Sequence, residues 1–143
     1  MAELEGCEQE AHRADDIANV LSLLAYELPT EAADIEQLII NLRETCHLLE
    51  DLAREFDYEG SDNVQNMLPN LRLVLPSLQC TLIRMRNYLN DRALSRRRRW
   101  NLMESDLFLE ARMSLENRFE LYNTFIYQVH LLLIGYVFAY VTE

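Results

Sequence analysis

Apolar residues recur at every third or fourth position through most of this chain. Ile17, Val20, Leu21, Leu24 and Leu28 form the first such stripe, with Asn19, Ser22 and Glu27 on the opposite side. Offsets of three, four and seven place one apolar face on a helix, predicted here from about Ala14 to Leu28. Asp15 and Asp16 open it and Pro29 follows it, matching the acid-first and proline-after signals of a helix. Residues 1–13 read as a flexible acidic N-terminus and residues 14–143 as one domain.

The second stripe is the longest. Ile35, Leu38, Leu42, Thr45, Leu49, Leu52 and Phe56 repeat as a heptad seam behind Thr30, a good N-cap, and Glu31 and Asp34 fall in the first turn. At ~1.5 Å per residue the segment spans about 40 Å, which favours shallow packing against similarly long neighbours. Glu36, Glu44, Glu50, Asp51 and Glu55 make its outer face, where Glu50 and Arg54 have the i,i+4 spacing of a supporting pair.

A turn is predicted over residues 57–62, with Gly60 at a C-cap and Ser61 at the next N-cap, so the helices on either side are expected to be antiparallel neighbours. The third stripe is Val64, Met67, Leu68, Leu71, Leu75, Leu78, Leu82, Met85 and Leu89. It crosses Pro69 and Pro76, each of which removes a backbone donor and crowds the preceding turn; a break near the first and a kink near the second are expected. A linker over residues 90–101 follows, and a last segment starts near Ser105 with Phe108, Ala111, Leu115, Phe119, Tyr122, Ile126, Val129, Leu133, Tyr136, Val137 and Tyr140 on its stripe. The predicted fold is an all-α, up-and-down bundle of four to five long helices with a kinked third segment.

Composition supports that class. The chain has 143 residues, half of them apolar, with three Gly and three Pro; one domain of this size buries roughly 68–70 % of its unfolded surface. It is too apolar for disorder and too poor in turn residues for a sandwich or barrel. The formal charge of −11 is uneven, −13 over residues 1–59 and +2 over residues 60–143. An acidic surface disfavours sequence-independent binding of nucleic acid, which needs a dense basic footprint. All thirteen basic residues are Arg. The absence of Lys excludes lysine Schiff-base chemistry and fits compositional bias better than selection against lysine modification.

The three cysteines, Cys7, Cys46 and Cys80, have no paired spacing, and the opening Met-Ala-Glu-Leu-Glu is acidic where a secretory signal is basic and then apolar. An intracellular, cytoplasmic chain with reduced thiols is expected. Cys46 and Cys80 fall on apolar stripes, where core packing is favoured over a redox role.

Candidate chemistry is sparse. The histidines, His12, His47 and His130, form no HExxH helix, and there is no zinc-type cysteine pair, phosphate-cradling glycine loop or nucleophile elbow. Glu44 and His47 make a single Glu-x-x-His unit, where a di-iron bundle needs two units and two further carboxylates. No catalytic residue, cofactor or metal is assigned. Two stretches remain. Arg96, Arg97, Arg98 and Arg99, with Trp100, could neutralise the acidic first half of the chain from within, meet an anionic partner, or serve nuclear import. Residues 129–141 are apolar on all faces, which suits a central helix, a partner surface or membrane contact; Tyr136, Phe138 and Tyr140 are the candidates for self-association. The run is short of the ~20 residues of a membrane span.

Leu38, Leu42, Cys46, Leu49 and Leu52, then Leu78-Gln79-Cys80 with Leu82, Met85 and Leu89, then the basic linker with Trp100, and finally Leu115, Leu121, Asn123 and Phe125, are together similar to a family pattern. Over about residues 30–135 the chain resembles the small helical N-terminal domains of filamentous fungi, related to HeLo-like domains, that precede nucleotide-binding or ankyrin-repeat modules in receptors of the STAND type. The resemblance implies a non-enzymatic signalling adaptor that binds a protein partner or itself, alternatively a membrane-acting effector that binds anionic lipid. Its acidic first segment departs from the membrane-active members, which rely on an apolar N-terminal helix. A standalone relative and an excised domain are both compatible with this pattern.

Overall fold

The computed structural model describes the backbone of residues 2–58 and 61–142 and the side chains of residues 3–55 and 67–133. Five helices follow in order: α1 (Ala2–Glu27), α2 (Ala32–Tyr58), α3 (Ser61–Leu89), α4 (Arg96–Ala111) and α5 (Leu115–Thr142). Strands are absent among the described residues. The protein is an all-α helical bundle.

The heptad seam of α2 lies where expected: Ile35, Leu38, Leu42, Thr45, Leu49 and Leu52 are buried. They meet Ile17, Leu21 and Leu24 of α1, Leu71, Leu78, Leu82 and Met85 of α3, and Phe119, Ile126 and Val129 of α5 in one core. Val20, on the expected stripe of the first segment, is instead exposed, as are Phe108 and Ala111 of the last.

α1 begins twelve residues earlier than the sequence pattern placed it. Residues 2–13, expected to be flexible, form its first turns, with Glu3 and Glu5 complementing the helix dipole. Cys7, Ala11, Ala14 and Ala18 are buried at helical spacing. Small side chains carry little hydrophobic signal, yet they let neighbouring helices approach closely. At Gly6, a Cβ would stand 3.3 Å from Leu75 Cδ1, so α3 nestles against this thin side of α1.

α1 packs on α2 and α3, and α5 packs on α2 and α3, leaving α2 and α3 at opposite corners. Among the described residues their expected side-by-side pairing is not formed. Arg72 of α3 pairs with Glu3 near the start of α1, so these two helices run parallel. Asn41 reaches the backbone oxygen of Glu116 and Glu55 lies beside His130, so α2 and α5 are parallel as well.

Pro69 and Pro76 do not interrupt α3. Both face solvent, where the carbonyls they leave without a donor can be hydrated. The second half of the expected linker is helix. Ser95, in extended conformation, accepts a hydrogen bond from the Arg98 backbone N–H and starts α4. Ser105 sits inside α4 and is not a cap. The break falls instead at Arg112, which adopts the left-handed conformation (φ 58°) and donates its backbone N–H to Phe108 O. Ser114 then caps α5, its hydroxyl accepting from the Asn117 N–H at 3.1 Å.

Candidate functional site

The arginine run divides in two. Arg96 pairs with Glu27 at the end of α1, and Arg97 Nε lies 3.2 Å from Glu31 Oε1 before α2. These contacts tie α4 to the α1–α2 corner, as the intramolecular reading requires. Arg98 makes no ion pair among the described residues, and Arg99 donates Nε–H to the carbonyl of Asp91 at 2.7 Å. Trp100 is not available to a partner: it is 2 % exposed and anchors α4 with Met103 and Leu107.

The same corner concentrates carboxylates. Burial and the nearby Asp34 and Glu31 push the Glu104 carboxyl above its ordinary range, against a hydrogen bond from Trp100. At the other end of α1, the hydrogen bond from Arg72 holds Glu3 below its ordinary range.

Of the residues assigned to self-association, Tyr136, Phe138 and Tyr140 have side chains outside the described residues. The described part of α5 nevertheless carries exposed apolar residues on its outer side, among the polar Glu120, Thr124 and Gln128. Leu121, Tyr127, Leu131 and Leu132 are 47–58 % exposed, while Phe119, Ile126, Val129 and Leu133 on the inner side are buried. The helix is thus neither a fully enclosed central helix nor an ordinary amphipathic one.

Between the two faces lies a polar seam. Thr45 Oγ1 is 2.5 Å from Asn123 Oδ1 and 2.9 Å from Asn41 O, and Asn123 Nδ2 donates to Asn41 O at 3.1 Å. A satisfied buried network of this kind fixes the register of the parallel α2–α5 pair. Sequence reasoning placed Thr45 on the seam and Asn123 in the family pattern without joining them.

A second polar group was missed altogether. Arg118, 93 % buried by residue, lies in a cleft between α3, α4 and α5 with Thr81, Tyr122 and Glu110.

The expected Glu50–Arg54 pair is replaced by Asp51–Arg54; Glu50 accepts from the Cys46 thiol at 3.3 Å. His47 is exposed, 3.9 Å from Glu50, and among the described residues no group of three or more His, Cys, Asp or Glu could hold a metal. Cys7 and Cys46 are buried, but Cys80, assigned to the core, is exposed because α3 turns its position outward between Leu78 and Leu82.

Burial pushes both the Cys7 and the Cys46 thiol up to about 12. One thiol, that of Cys80, is therefore expected to react rapidly with Ellman's reagent in the native protein, all three in denaturant, and none rapidly in Cys80→Ser. The buried thiols also set a pH dependence. A folded pKa raised above the unfolded value contributes stability in full below about 9, and that contribution is lost as pH rises toward about 12.

No family model, curated protein or solved structure matches this chain. What the fold and surfaces define is a class, an acidic five-helix bundle with exposed apolar residues on the outer side of α5. Among the described residues no helix is long and apolar enough to cross a membrane.

Proposed function

We propose that this protein is a non-enzymatic interaction module that associates through the outer face of α5, with a second copy of the chain as the occupant. The observation that carries the reading is the half-exposed set Leu121, Tyr127, Leu131 and Leu132 on a helix whose opposite side already fills the core. Exposed apolar residues gathered on one side of a helix are a candidate contact surface. The resemblance to fungal helical signalling domains supports the same reading.

The alternative, a membrane-acting effector, draws on Arg98 and the neighbouring exposed Arg92 and Arg86, which could meet anionic lipid. Flotation with anionic liposomes at low salt separates the two, since only the effector binds.

Substituting Leu131→Glu and Leu132→Glu together tests the α5 face. The helix content stays unchanged, folding stability falls by about 1 kcal/mol per site for the half-buried area, and the protein sediments as a monomer. A double variant that associates as the parent does would refute the assignment.

A further inference from the structure

The cleft between α3, α4 and α5 has a volume of about 390 Å³ and surrounds the most deeply placed cation described in the chain. Arg118 Nη2 donates to the carbonyl of Leu107 at 2.7 Å and Nη1 to Thr81 Oγ1 at 3.2 Å. Its Nε is buried without a hydrogen-bond partner. The one carboxylate near it, Glu110, is 3.9 Å away and is in close contact with Arg84.

Two guanidiniums thus share Glu110, while Asp106 is engaged by Tyr88 beside Arg84. A buried cation without full compensation is costly, and Arg118 also lies in the first turn of α5, where the helix dipole adds positive potential. Hydroxyl groups stand on the other side of the cleft: Tyr122 OH is 2.9 Å from Thr81 Oγ1 and 2.8 Å from Ser77 Oγ. Leu121 and Ala111 supply an apolar wall.

We infer that this cleft is a binding site for a small monocarboxylate, whose charged group pairs with Arg118 and accepts from the Tyr122 hydroxyl while its short apolar tail lies along Leu121. Glu110 in the lining opposes a doubly charged phosphate more strongly than a singly charged carboxylate. The site borders the outer face of α5 at Leu121, and its charged end, at Arg118 and Tyr122, lies on the α3 and α4 side of that helix.

The test is a titration of the ¹⁵N-labelled full chain with sodium propionate, followed at Arg118 Nε–H and at the amides of Cys80 and Thr81, against sodium chloride at equal ionic strength. Propionate is expected to give saturable shifts in the millimolar range and chloride none, with phosphate about tenfold weaker. Arg118→Gln should weaken binding at least about tenfold. If that variant does not fold, Tyr122→Phe keeps the ring and its packing on Phe119 and should weaken binding about fivefold. Equal, unsaturating shifts with propionate and chloride would show an adventitious ion effect only and overturn the site. Tighter binding of phosphate, or unchanged affinity in Tyr122→Phe, would also overturn it.

Discussion

Leu42→Asp abolishes cooperative folding. Leu42 is 0 % exposed at the middle of the α2 seam, where α2 meets the rest of the common core. A carboxylate there is left without a partner or water, a class of change that costs more than about 4 kcal/mol. Ile40, two residues away, is 58 % exposed, and Ile40→Asp should alter stability by less than about 0.5 kcal/mol. Thermal melts followed by circular dichroism compare the two directly. A cooperative melt in Leu42→Asp near that of the parent would show that the seam faces solvent.

Trp100→Ala is the second large effect, a loss of about 3–5 kcal/mol. The indole is enclosed at the start of α4, next to the ion pairs of Arg96 and Arg97 with the α1–α2 corner. Removing it leaves a cavity at the point that holds α4 to the bundle. Arg98→Gln, two residues earlier on the exposed side, should change stability by less than about 0.5 kcal/mol. Chemical denaturation of both variants decides the matter. Trp100 is the sole tryptophan, so native emission in the parent should be blue-shifted and move red on unfolding. An unaffected Trp100→Ala variant would mean that the residue is a surface group after all.

Large aliphatic residues at helical spacing made the α2 seam and most of α3 legible in the sequence, because burial of such side chains dominates folding and repeats with the helix. The first half of α1 was not legible, since Cys7, Ala11, Ala14 and Ala18 pack by being small. The boundary between α4 and α5 was hidden by Arg112, a residue that rarely takes the left-handed conformation usually given to glycine. The break expected at Pro69 is absent, because both prolines face solvent and α3 runs on through them. Diagonal placement of α2 and α3 follows from which helices pack together, which no local pattern encodes.

The candidate surfaces were legible to different degrees. The charge asymmetry along the chain anticipated the pairing of Arg96 and Arg97 with Glu27 and Glu31. Trp100 misled because an aromatic beside four arginines reads as a contact residue, whereas its place one turn into α4 directs it inward with Met103 and Leu107. The apolar character of the last helix was plain in the sequence. Which of its sides remained open required the neighbouring helices. Arg118 was invisible because the significance of a buried cation lies in what surrounds it.

The association of the chain through α5 is tested most directly by its mass in solution, measured by light scattering over a range of protein and salt concentrations. The account predicts a concentration-dependent dimer whose mass is insensitive to salt, as expected of an apolar contact. A monomer throughout, or a dimer that dissociates as salt is raised, would contradict it, the latter by shifting the contact to the arginine corner.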